Sequence, residues 1–273
     1  MSVAGIKSLV IAALVLVNAF FLSIIIIDTY TDARDERQAI ESVCAILRSN
    51  GIEISPDDVK TADALRTMRT SRGVELEAVI AYAFLGPVEM TDQNAIYLYE
   101  NTDRGTAEFR TAGDFRILLN EGVITNATGT LRTVQALLKD MKLETSAITI
   151  YTESEGETAL VVNAFRGASI FNCTIEFAFS GDSLRTVSGR YAAGIEPAED
   201  GVELSLVGTA LLGFLAEVKS GDIECTEIMS VEAGYQHSVA GPFGEGVITP
   251  AWLITTDGGR YIVDSATGDI RQI

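Results

Sequence analysis

The chain has 273 residues, 47% of them hydrophobic, with 20 basic and 38 acidic side chains and a formal net charge of −18. That balance excludes disordered and low-complexity classes, and it argues against nucleic acid as a ligand, because phosphate binding needs clustered Lys and Arg. One histidine, His237, excludes a multi-histidine metal centre and makes a His-dependent triad hard to build, and three cysteines form no disulfide scaffold.

The strongest local signal is N-terminal. From Ser8 to Ile27 the chain runs twenty residues without a charge, bracketed by Lys7 and Asp28. At about 1.5 Å per residue such a helix is roughly 30 Å long, the thickness of a bilayer's hydrocarbon core. A secretory signal is the rival reading. Its apolar region would be shorter and end at small residues, whereas this run leaves through four isoleucines, Asp28, Thr29 and Tyr30. Residues 8–27 therefore read as an uncleaved transmembrane helix. Counting Lys7 against Arg34 and Arg37 barely decides orientation. A short tail, 1–7, ahead of a remainder carrying −19 is the usual signal-anchor arrangement, with a cytoplasmic N-terminus and the bulk of the chain exported.

Asn18 puts an amide at mid-membrane, where an unpartnered polar group is costly. Ser8/Ala12 and Ala19/Ser23 have the small-xxx-small spacing that lets helices approach closely. These five residues read as a contact for another membrane protein or a second copy. The plainer alternative is a tolerated amide in an apolar anchor.

The exported part alternates helical and strand patterns. A helix over 35–49 carries Ile40, Val43, Cys44 and Leu47 on one stripe and stops at Asn50-Gly51. Ser55-Pro56-Asp57-Asp58 starts a short helix. Residues 74–85 read as a strand, with Val74, Leu76, Ala78, Ile80, Tyr82 and Phe84 on one face and Glu75 and Glu77 opening the other. Residues 95–100 and 106–110 flank a polar turn as a hairpin. These elements form a first unit, 28–120, and 121–129 reads as a linker.

A second unit, 130–273, opens with a helix over 130–141 striped by Leu131, Val134, Leu138 and Met141. Strands are predicted at 147–152, 158–166, 170–179 and 184–192, the third alternating through Phe171, Cys173, Ile175, Phe177 and Phe179. An apolar helix over 203–218 turns Leu204, Val207, Leu211, Phe214, Leu215 and Val218 inward. Further strands end the chain, with a hairpin through Asp257-Gly258-Gly259. The class is α+β, with helices laid on antiparallel β-sheets in two units after the single transmembrane helix.

Candidate chemistry is thin. Gly181-Asp182-Ser183-Leu184 spells the string of the GDSL hydrolases, but Gly234 stands where that family's DxxH aspartate would precede His237, and Gly-Asp-Ser between two strands is ordinary turn chemistry. His237, in Gln236-His237-Ser238, reads as a solvated loop side chain. Cys44, Cys173 and Cys225 lie on apolar faces, Cys225 sharing one with Ile223, Met229 and Tyr235, and read as buried thiols; a Cys173–Cys225 disulfide is the alternative. Asp264–Asp269 reads as a turn and not a calcium loop. Asn126 and Asn172 match the glycosylation sequon without carrying weight. No catalytic residue, metal site or cofactor is predicted.

The C-terminus carries a resemblance. Ala251-Trp252-Leu253-Ile254, Asp257 through Asp264, and Thr267-Gly268-Asp269-Ile270 look like the closing hairpin of PepSY-like and YycH/YycI domains. Leu16 through Leu22 inside the anchor, Ala39-Ile40, Asn50 through Ile54, and Gly234-Tyr235 are similar to the YycI pattern. The likeness covers both ends, and residues 90–200 only in pattern. It implies a membrane-anchored accessory factor of a WalR/WalK (YycF/YycG) two-component system, governing cell-wall metabolism in Gram-positive bacteria. The implied partners are a sensor histidine kinase, contacted partly through the transmembrane helix, and a YycH-like protein. The alternative is a PepSY-like external module that restrains a cell-surface peptidase.

Overall fold

The computed structural model describes residues 35–60, 64–152, 154, 156–239 and 244–273. The expected anchor over 8–27, with Ser8, Ala12, Asn18, Ala19 and Ser23, lies outside them. Among the described residues no helix is long and apolar enough to cross a membrane.

Helix α1 covers 35–49. Ile40, Val43, Cys44 and Leu47 are buried, the i, i+3, i+4, i+7 stripe of an amphipathic helix. Gly51 then turns the chain at φ 86°, a conformation that costs glycine little. Ser55 caps a 3₁₀ turn, Pro56–Asp58, in a reciprocal capping box with Asp58.

Fifteen strands follow: β1 (Val59–Lys60), β2 (Met68–Thr70), β3 (Met90–Gln93), β4 (Ile96–Asn101), β5 (Gly105–Phe109), β6 (Asp114–Leu119), β7 (Thr145–Thr152), β8 (Glu157–Phe165), β9 (Ala168–Ser180), β10 (Ser183–Arg190), β11 (Glu196–Pro197), β12 (Ile228–Val239), β13 (Gly246–Thr256), β14 (Gly259–Asp264) and β15 (Ile270–Gln272). Helices α2 (Val74–Leu85), α3 (Thr130–Asp140) and α4 (Val207–Ser220) complete the described elements. Among the described residues these fifteen strands connect into one largely antiparallel sheet with two halves.

In the first half the order is β7-β8-β9-β10-β6-β5-β4-β3, antiparallel throughout. The packed interior of this half joins α2 and α3 to Tyr99, Phe109, Phe115, Ile117, Val161, Ile175 and Phe177. The second half centres on β12 and β13, with β14 and β15 beyond β13. β2 pairs with the opening residues of β13, and β1 runs parallel to β12. Its interior joins α1 and α4 to Trp252, Ile254, Tyr261 and Val263, drawing on 40–59 and 204–270. The halves meet where Ile170 of β9 pairs in parallel with Tyr235 of β12. A Cβ at Gly234 would lie 2.5 Å from both the Phe171 ring and the Ser169 carbonyl, so only glycine lets β12 approach β9 this closely.

The α+β class, the 95–110 hairpin, the four mid-chain strands, the alternation of β9 and the 257–259 hairpin all appear as the sequence implies. Residues 74–85 do not. They form α2, and the buried residues are Glu77, Ile80, Ala81, Phe84 and Leu85. The apolar alternation coincides with a 3.6-residue stripe over the same span, and Glu, Leu and Ala are good helix formers.

In α3 the buried set is Thr130, Val134, Leu137 and Leu138, while Leu131 points outward at 44% exposure. Thr130 takes the inward place because it hydrogen-bonds Asn126 and the Glu157 carboxylate. Helix α4 starts at Val207 and not at 203, because Leu204 donates its N–H to Leu65 and the Ser205 carbonyl accepts from the Trp252 indole at 2.9 Å.

Candidate functional site

Two polar features sit back to back where the sheet halves meet. The inner one is built on the segment leading into α2. Arg72, just before that helix, grips Glu77 in its first turn through Nε at 2.8 Å and Nη2 at 3.0 Å. Its Nη1 donates to the Ala95 carbonyl at 2.6 Å, and the guanidinium lies 3.7 Å over the Tyr97 ring. Ala95 adopts φ 69°, a left-handed conformation uncommon for a residue with a Cβ, and its carbonyl receives this bond.

Glu77 is 1% exposed. Burial pushes its carboxyl above the usual range, with the Arg72 hydrogen bonds pulling the other way. Fork geometry and a stacked aromatic are what a buried guanidinium needs to be satisfied. The cluster fastens α2 to β4 and β5.

His237 belongs to the same cavity as Arg72 and Glu77, together with Thr70, Gly113 and Tyr191. The expected solvated loop is not found: His237 lies within β12 and is 6% exposed. Gly234 to His237 are all buried because β9 and β13 flank β12 there. Gln236 donates to the Asp264 carboxylate and accepts from Arg271 at 2.7 Å. His237 Nε2 lies 3.2 Å from Thr70 Oγ1, and its Nδ1 has no partner among the described residues. The cavity holds about 10 Å³, space for about one water and no organic ligand.

The outer feature is a groove of about 550 Å³ on the helix-free face of the first half-sheet, lined by Glu108, Arg110, Asp114, Arg116, Asn172, Thr174, Ser188 and Arg190. Asn172 joins the two features, since its amide exchanges two hydrogen bonds of 2.7 Å with the His237 backbone. Arg190 clasps Asp114 at 2.9 and 3.0 Å, and Arg110 meets Glu108 at 2.8 Å. Among the described residues lining the groove, Arg116 is thus the cation without a carboxylate.

The remaining sequence candidates are dispersed. Gly181 and Asp182 form the β9–β10 turn, and Ser183 accepts from the Gly122 N–H at 2.8 Å. Cys44, Cys173 and Cys225 are free thiols, Cys225 partly exposed. Burial raises the Cys173 thiol to about 12. Cys225 precedes β12, and Met229, expected on its buried face, is half exposed while Tyr235 is buried. Asp264 accepts from Ala266 and Thr267, as an Asx turn does. Among the described residues no group of three potential ligands is placed to hold a metal ion.

Arg72, Glu77 and the groove arginines escaped sequence reasoning. Assigning 74–85 as a strand put Glu77 on a solvated face. Reading that stretch at helical period would have placed an acid in a buried stripe, five residues from an arginine.

No family model matches the chain, and no curated protein matches it. Among solved structures the chain is similar to the Bacillus megaterium YpeB C-terminal domain, with a TM-score of 0.35 and 11% identity over 75% of this chain and 99% of that one.

Proposed function

We propose that this chain is a membrane-anchored, non-enzymatic regulator of a sensor histidine kinase of the WalK/YycG type, engaged in cell-wall homeostasis. The observation that carries the reading is Asn18 in the middle of the uncharged run 8–27, since a mid-membrane amide seeks a partner helix. The YycI-like residues at both ends supply the kinase as that partner. Two placements support a non-catalytic role. His237 is enclosed against Thr70, and the serine of the GDSL string is engaged at a turn.

The mechanism is a biased equilibrium. Packing around Asn18, with Ser8, Ala12, Ala19 and Ser23 allowing close approach, favours one kinase conformation over another, and the shift equals the difference in affinity for the two states. The test is photo-crosslinking from position 22, four residues from Asn18, in native membranes with mass-spectrometric identification. A histidine kinase in the adduct, lost when Asn18→Leu is combined with the same probe, is the expected result. Adducts with bulk lipid alone would overturn the reading.

The second reading is an external module that restrains a cell-surface peptidase, and the open groove on the exported part favours it. It requires a soluble fragment 28–273 to suffice for activity, whereas the kinase reading requires the anchor.

A further inference from the structure

We infer that the outer edge of β7 pairs antiparallel with the same edge of a second copy of this chain, joining two sheets across a two-fold axis at Thr149. The inference does not depend on the membrane contact at Asn18.

Among the described residues β7 has β8 on one side and no strand on the other. Such an edge presents unpaired N–H and C=O groups, and proteins blunt it by keeping it short or by placing charge or proline on it. The other margins of this sheet are blunted in that way. β3 has four residues including Asp92, β15 has three including Arg271, β11 is Glu196-Pro197 and β1 is Val59-Lys60. β7 has eight residues, Thr145–Thr152, with no charge and no proline.

Charge selects a second copy as the occupant. A chain of net charge −18 repels itself over most of its surface, and an uncharged strand escapes that repulsion. The two ends of β7 differ in sign. Lys142 and Arg166 flank its start, both exposed and in no ion pair among the described residues. The Glu144 carboxylate at that end is taken up by the N–H groups of Arg166 and Gly167. Past Thr152 the sequence continues into Glu153 and Glu155. Antiparallel self-pairing lays the basic end of each strand beside the acidic end of the other.

The pleat sets the register. Opposed residues share a face, so a two-fold axis through the sheet passes through a residue. Pairing with β8 is regular from Ala147 to Thr152, after a shift between Thr145 and Ala147. Ile148 and Ile150 pack on the interior that α3 covers, whereas Ala147, Thr149 and Tyr151 are exposed. An axis at Thr149 sets Ile148 against the partner's Ile150, and Ala147 against the partner's Tyr151, so the apolar face continues into the second sheet.

The test is disulfide crosslinking of the full chain in native membranes, in a Cys225→Ser background that removes the partly exposed native thiol. Opposed Cα atoms in an antiparallel pair are about 4.5–5.5 Å apart, within disulfide reach. Thr149→Cys should give a covalent homodimer under mild oxidation. Ala147→Cys and Tyr151→Cys should each give little alone, because each would lie about 13 Å from its own copy at about 3.3 Å per residue. Co-expressed, those two variants should crosslink to each other. Thr149→Lys sets two lysines in opposition and should abolish that mixed crosslink, with a thermal melt showing that the variant is folded. Asn18→Leu should leave the Thr149→Cys dimer in place. No dimer from Thr149→Cys, or an equal yield from Leu212→Cys on the exposed side of α4, would overturn the inference. So would loss of the dimer on Asn18→Leu, which would seat the association in the anchor. A Thr149→Cys adduct with a different protein would overturn the assignment to a second copy.

Discussion

His237 Nε2 lies 3.2 Å from the Thr70 hydroxyl, across 167 positions of sequence, and the other ring nitrogen has no protein partner among the described residues. One imidazole thus ties β12 to β2 beside the Arg72–Glu77 pair. A second proton on that ring would put a charge in an enclosed space.

The pH dependence has a definite sign. Burial lowers the His237 pKa from its ordinary value, and Arg190 lowers it further, with Asp114 opposing. The unfolded chain therefore binds its proton first. Stability from His237 is complete above the unfolded pKa and is lost as pH falls through the folded value. Urea midpoints measured between pH 8 and pH 5 should fall more for the wild type than for His237→Gln. Parallel curves would remove His237 from the linkage.

Removing half of the inner ion pair should be costly. Arg72→Ala strands Glu77, which is buried, along with the Ala95 carbonyl that Arg72 serves. Breaking a buried pair from one side costs about 3–5 kcal/mol, whereas replacing both partners with apolar side chains is often near neutral. Chemical denaturation of Arg72→Ala, Glu77→Leu and the double substitution Arg72→Met/Glu77→Leu tests this. The double variant should be more stable than Arg72→Ala; additive losses would show that the pair is not acting as a unit.

How much was legible follows from the same residues. In α1 and β9, with one face buried and one wet, hydrophobic period was enough: Ile40 to Leu47 and Phe171 to Phe179 are buried as their spacing requires. Over 74–85 apolar residues fall on both the two-residue and the 3.6-residue period, so period alone could not choose. At Gln236-His237 the polar composition suggested solvent, but strands flank β12 on both sides there and long-range partners engage the Gln236 side chain and the His237 backbone. Pairings such as Thr70 with His237, or Arg116 with Ser188, depend on strand order, which one sequence does not encode in any local signal.

Gly113 and Gly86 separate two costs of adding a methyl group. Both have positive φ, 79° and 71°. A Cβ at Gly113 would lie 2.3 Å from the Tyr191 carbonyl oxygen, while one at Gly86 meets nothing within 4 Å. Gly86, with ψ −158°, sits in a backbone region essentially reserved for glycine, so Gly86→Ala should cost that backbone strain alone, about 1–3 kcal/mol. Gly113→Ala must also push β10 away from the β5–β6 turn, and should unfold at clearly lower urea. Equal midpoints would mean that the close approach relaxes without cost.

A second acid-sensitive contact should act in a separate pH window. The Asp257 carboxylate accepts from the Thr226 hydroxyl and from the backbone N–H groups of Thr226 and Glu227. The Thr226 hydroxyl is the largest influence, and together they hold Asp257 at about 2. Its pKa is depressed on folding, so this stabilisation is present above the ordinary carboxylate range and is lost as pH falls toward about 2. Carbon-detected NMR titration of the Asp257 carboxyl should find its midpoint well below that of a free aspartate, and Thr226→Val should raise it. Asp257→Asn should leave the pH 8 to 5 response of His237 unchanged, because the two contacts share no partner. A normal Asp257 titration would show that the β13–β14 hairpin does not hold the carboxylate in this arrangement in solution.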